Sequence, residues 1–224
     1  MSSHSSGNSL GSSLTIWLTR HGERHDWVDA EWRKRPQRAY DDPPLSERGR
    51  QQARELGVRL RGRPIRHILV SPFDRCVETA HIISSARETP LPLLVEPGVC
   101  EVLHVFPPGS LAAHQLKDRY PLVDAGYEPC LVPSVGEPRQ RGTCGPRVKE
   151  ALERLLRRFP EGDLLIVTHG DPLGAVLDAC VGNWVQTGVC TLTELERNAQ
   201  REWKANLLGD TDHLSDKTNL RDRW

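Results

Sequence analysis

The sequence has no excess of either charge, with thirty Lys and Arg against thirty Asp and Glu in 224 residues. That balance excludes a global field able to hold nucleic acid or an anionic membrane, so any anion must be bound by a local cluster of cations. No CxxC pair occurs among the six cysteines (Cys76, Cys100, Cys130, Cys144, Cys180 and Cys190), which argues against a zinc site or a dithiol redox motif. Each is expected as a small buried hydrophobe, kept reduced in a cytoplasmic compartment. Residues 1–13 are rich in Ser and Gly and have no apolar core; they read as a disordered tail, neither a signal peptide nor a membrane span. There is no internal repeat. What remains is 37% apolar even without glycine, enough for one ordinary globular core, and the length leaves little room for a second.

Residues 14–19 are nearly all apolar or β-branched, the pattern of a strand buried on both faces. Similar runs recur at 67–70, 91–95 and 163–168. Between them lie helical patterns: Gly49, Ala53, Leu56 and Leu60 behind the N-cap candidate Ser46; Val77, Ala80 and Ile83 after Ser71-Pro72; a stripe from Val148 to Phe159; and Leu173, Val176, Leu177 and Cys180 after Pro172. Runs at 189–195 and 203–207 read as an edge hairpin. Alternation of strands with crossover helices predicts an α/β fold, with a mostly parallel central sheet and helices on both faces. A single domain is expected over residues 14–209, with a C-terminal tail at 210–224. Two irregular cap segments interrupt it: 25–44, and a Pro-rich insertion at about 104–146 with room for one short helix at 110–119.

Two of the strands run into histidine, as Arg20-His21-Gly22 and as Thr168-His169-Gly170. Parallel neighbours near the middle of the sheet would deliver both imidazoles to one pocket at the strands' carboxyl ends. Arg20 and Arg24 flank the first histidine, and Arg75 enters from the first turn of the helix after the second strand. Guanidinium forks around a pair of imidazoles suit a phosphoryl group. Arg24 could equally pair with Glu23 or Asp26, and Glu101 could be a solvated turn carboxylate. Trp27, Trp32 and Tyr40 read as an aromatic wall for a substrate or, as readily, as packing for the 25–44 loop.

The run RHGERHD at Arg20–Asp26, followed in order by DDPPLSERGRQQA, SPFDRCVETA, VEPGVCEV and VTHG, resembles the histidine phosphatase superfamily, or phosphoglycerate-mutase-like clan. Within it the likeness is greatest to the suppressor-of-T-cell-receptor-signalling and steroid-phosphate phosphatases. It covers residues 14–105 and 147–196. The resemblance implies that His21 is the nucleophile, that Arg20, Arg24, Arg75 and His169 bind the phosphoryl group, and that Glu101 is the proton donor; Asp171, two residues after His169, is the alternative acid. It also implies a phosphomonoesterase that needs no metal or other cofactor and works through phosphohistidine on an aryl, steroid, protein or small-molecule phosphate. Neither nucleic acid nor membrane is an expected partner, and a homodimer is compatible with the reading. Mutases carry a Ser and then Trp-Asn where this chain has Arg24, His25, Asp26 and Trp27, which tilts the expectation towards a phosphatase. A mutase-type phosphotransferase and a catalytically weak interaction module of the same fold are the rivals.

Overall fold

The computed structural model describes residues 14–34 and 41–222. The tail expected at residues 1–13, together with Pro36 and Tyr40 of the first cap segment, lies outside the described residues. Six strands form one sheet: β1 (Leu14–Arg20), β2 (Ile65–Val70), β3 (Leu93–Val95), β4 (Asp163–Thr168), β5 (Leu192–Arg197) and β6 (Trp203–Asp210), in the order β3-β2-β4-β1-β5-β6. The first four in sequence pair parallel, and β5 and β6 add on antiparallel. The predicted mostly parallel α/β sheet is therefore the observed one. Its hairpin begins at Leu192 rather than at residue 189 and reaches Asp210 rather than 207, because Val189 is taken up in an isolated bridge to Arg20.

Side-chain alternation along the central strands builds two cores. Leu14, Ile16 and Leu18 of β1 and Leu164 and Ile166 of β4 face α4 (Gly145–Arg158) and α5 (Gly170–Val181); Trp17, Leu165 and Val167 face α1 (Glu47–Leu60) and α2 (Asp74–Ser85). Strands covered on both sides must be apolar on both sides, which is why these segments read as continuous hydrophobic runs. Each fully buried Leu, Ile or Val adds roughly 1.5–3 kcal/mol of transfer free energy, so the two layers dominate the stability.

The 104–146 insertion is as irregular as its prolines demand, and holds one short helix, α3 (Ala113–Arg119). It wraps the sheet edge as well as capping it. Leu93 exchanges backbone hydrogen bonds with Leu122 and Asp124. Leu116, Tyr120 and Val123 enter one core and Tyr127 the other. The tail expected at 210–224 is also corrected: Asp210 closes β6, and Leu214 and Leu220 are buried against the α1 and α2 side of the sheet. Two well-spaced leucines in a polar stretch were too weak a sequence signal to show this.

Candidate active site

Parallel pairing of β1 with β4 puts Arg20 opposite Thr168, so the next residue of each strand leaves the sheet at the same place. The His21 N–H donates to the Thr168 carbonyl at 2.9 Å, and the His21 and His169 rings lie 5.2 Å apart, nearly edge to face. The histidine loop at residues 21–23 is held against α1 by close backbone packing. A Cβ on Gly49 would stand 2.2 Å from the Glu23 carbonyl oxygen, and one on Gly22 2.5 Å from that of Gly49. Neither position has room for a side chain, and the α1 N-terminus, capped by Ser46 Oγ, therefore sits directly on the histidine loop.

The hydrogen bonds assign both tautomers. Nδ1 of His21 lies 2.8 Å from the Gly22 carbonyl, which can only accept, so Nδ1 carries the proton and Nε2 the lone pair. Nδ1 of His169 lies 3.2 Å from a guanidinium nitrogen of Arg75, which can only donate, so its proton is on Nε2 and is given to Ser71 Oγ at 2.8 Å. Both rings are held well below the ordinary imidazole range, first by burial and then by nearby cations, Arg75 foremost. The 3.6 Å approach of Glu101 Oε2 to His169 Nδ1 is thus a contact with a neutral ring, too long for a hydrogen bond.

Arg75 is fully buried. It donates to the Asp41 carbonyl at 3.1 Å and lies 3.7 Å from Asp42 Oδ1. Arg20 donates to the carbonyls of Arg221 and Thr187 at 3.1 and 3.4 Å, and burial, aided by Arg24 and Arg75 and opposed by Glu101, lowers its pKa to about 10. The Nε–H groups of Arg20 and Arg75 are buried with no protein acceptor, the kind of donor an oxyanion satisfies. Arg24 is already bound to Asp26 through two bonds, at 2.9 and 2.8 Å. A cavity of about 520 Å³ brings together Arg20, Arg24, Arg75, Glu101 and Asp171, with Phe73, residues 102–105 and residues 139–141 around them. The Asp171 carboxyl is pushed up, mainly by burial and then by Glu101.

Trp27 and Trp32 do not form the aromatic wall. Trp27 lies beneath the guanidiniums of Arg20, Arg24 and Arg221 at 5.0–5.7 Å, and Trp32 packs on His25; neither lines the cavity. Sequence reasoning missed Ser71, read only as a turn residue, the aspartates that seat Arg75, and the pair Glu137 and Arg147 beside the Glu101 segment. Four cysteines are buried, whereas Cys130 and Cys180 are partly exposed. No helix among the described residues is long and apolar enough to cross a membrane.

The buried neutral rings carry a stability consequence. Below about pH 6.5 the unfolded chain protonates these imidazoles while the folded chain does not, so stability is full above that pH and falls as the pH drops. Thermal unfolding followed by circular dichroism is expected to show a midpoint declining from pH 7 to 5, each ring contributing at most about 1.4 kcal/mol per pH unit. His169→Gln should make the decline shallower; an unchanged slope would contradict a ring held neutral by its surroundings.

Two buried imidazoles and a set of guanidiniums at the carboxyl ends of parallel strands define an α/β protein with a phosphoryl-transfer site. The chain belongs to the histidine phosphatase superfamily (branch 1), whose family model matches residues 16–211. It is 32% identical over 217 residues to the probable phosphoglycerate mutase GpmB of Enterobacter sp. (strain 638), an alignment spanning 90% of this chain and 95% of that protein. Among solved structures it is similar to YhfR of Bacillus stearothermophilus, with a TM-score of 0.63 and 26% identity over 89% of this chain and 98% of the other. The ecdysone phosphate phosphatase of Bombix mori, solved with tungstate, shares the fold at a TM-score of 0.72 and 20% identity, covering 92% and 96% of the two chains.

Proposed function

We propose that the protein is a phosphomonoesterase that works through a phosphohistidine on His21. The observation that carries the reading is the neutral His21 ring, its Nδ1–H tied to Gly22 and its Nε2 lone pair set among guanidiniums. In the first step Nε2 attacks phosphorus and the ester P–O bond breaks. Protonated Glu101 gives its proton to the departing oxygen, a contribution of roughly 10²- to 10⁴-fold in general acid catalysis. In the second step the Glu101 carboxylate takes a proton from water, which attacks phosphorus and breaks the P–N bond. Arg20 and Arg75 hold the equatorial oxygens throughout, and their charge offsets that of the transferring group. The surrounding cavity has the size of a small-molecule site, which favours a small phosphate monoester over a protein substrate. Kinship with the suppressor-of-T-cell-receptor-signalling and steroid-phosphate phosphatases rests on the RHGERHD run, with the ecdysone phosphate phosphatase supporting it by fold alone.

The likeness to GpmB supports a second reading, a mutase. Rapid-quench experiments with 4-nitrophenyl phosphate labelled in phosphorus separate the two. A phosphatase forms an acid-labile phosphoenzyme on His21 that decays to inorganic phosphate even with phosphoglycerate present. Transfer of the label to phosphoglycerate in preference to water would establish the mutase instead.

A further inference from the structure

Glu101 stands in a segment that belongs to neither the sheet nor a helix, so its backbone must be fixed by other contacts. Arg147 of α4, itself buried, supplies them. It donates to the carbonyls of Gly98 at 2.9 Å, Cys100 at 3.1 Å and Glu101 at 3.1 Å. Its remaining edge forms a two-bond pair with Glu137, at 2.7 and 3.0 Å. Glu137 in turn accepts from the Leu103 N–H at 2.9 Å through its carboxylate and donates its own N–H to the Leu103 carbonyl at 2.8 Å. The backbone on both sides of Glu101 is thus bonded to one ion pair. The Glu101 side chain is held at the other end, where Oε1 accepts the Val102 N–H at 3.0 Å. Neither Arg147 nor Glu137 lines the cavity that holds Arg20 and Arg75.

We propose that Arg147 and Glu137 are positioning residues for Glu101, and that their role in the reaction is confined to proton transfer by that carboxylate. The inference rests on the reading of Glu101 as the acid. A charge-assisted fork with most of its hydrogens used fixes direction as well as distance. Loss of such support lets a donor drift, and a misplacement of about 1 Å can cost about 10²-fold. The loss should depend on the leaving group, because a phenolate that is stable as an anion departs without a proton and a basic one does not.

The test is a series of substituted phenyl phosphates, from 4-nitrophenyl to 4-methoxyphenyl, with kcat/KM measured for the full chain and for Glu137→Gln. At the basic end the variant is expected to lose about 10²-fold. At the 4-nitrophenyl end it should lose less than about threefold, the same steepened series that Glu101→Gln gives, and adding Glu137→Gln to Glu101→Gln should cost nothing further. Arg147→Lys, which keeps the cation and loses the fork, gives the same pattern and serves if the Gln variant does not fold. A uniform loss across the series in a variant folded by circular dichroism, or losses that add to those of Glu101→Gln, overturns the clamp. A flat series for Glu101→Gln itself would instead show that the acid lies elsewhere, and a labelled His21 would still leave the phosphohistidine reading standing.

Discussion

His21→Ala is expected to lose hydrolysis of an aryl phosphate by roughly 10⁴- to 10⁶-fold, the scale seen when a covalent nucleophile is removed. The fold should survive. The backbone N–H of residue 21 still reaches the Thr168 carbonyl, and the lost side chain makes one hydrogen bond, to its own neighbour Gly22. The ring otherwise stands 5.2 Å from His169 and 6.1 Å from Trp27, at the margin of one apolar layer. Vanadate binding should persist, since Arg20 and Arg75 are untouched, so titration calorimetry with vanadate and the far-ultraviolet spectrum together separate a missing nucleophile from a damaged site. Turnover within tenfold of the parent protein would mean that phosphorus is attacked directly by water, and the phosphohistidine would have to be given up.

Arg75→Lys should be nearly as damaging, with kcat/KM down by about 10²- to 10³-fold although the charge is kept. The guanidinium spans the Asp41 carbonyl, the His169 ring and the free direction of its Nε–H while lying 4.6 Å over Phe73. A single ammonium has its three donors on one nitrogen and cannot span those partners as the planar fork does. Losing the donor to Nδ1 also removes the constraint that keeps His169 in its Nε2–H tautomer. Steady-state kinetics with vanadate inhibition checks this: the inhibition constant should rise in step with the fall in kcat/KM, because the same fork serves ground and transition states. A variant that kept both values within a few-fold would assign Arg75 a packing role. Arg24, already bound bidentately to Asp26, should be the less sensitive of the two.

The sheet was legible because its central strands are buried on both faces and carry no polar alternation to confuse the pattern. The histidine loops were legible because each follows such a strand. Arg20, Arg24, Arg75, Glu101 and Asp171 do line one cavity, with His21 and His169 side by side behind it. What failed to show were interactions made once in three dimensions. Nothing in the local sequence says that Arg147 will bond carbonyls 46 to 49 residues earlier. Nor could Trp27 be told from a wall residue, since a ring supporting cations and a ring facing a substrate have the same sequence signature. Leu214 and Leu220 were lost in a polar stretch for the same reason, burial there being set by the sheet they meet.

The order of the sheet has a bearing on how the molecule comes into being. The strand that leads into His21 precedes the others in sequence, yet its two neighbours are β4 and β5, encoded at 163–168 and 192–197. Arg20 at its end donates to a carbonyl 201 residues away. A chain growing from its N-terminus therefore leaves the apolar β1 without its two partners until residues 163–197 have been made, and the His21 loop is set in place only as β4 and β5 dock. Such non-local pairing is slow to form and prone to aggregate while it waits. The pocket at the end of β1 thus forms only after the pairing of segments more than 140 residues apart.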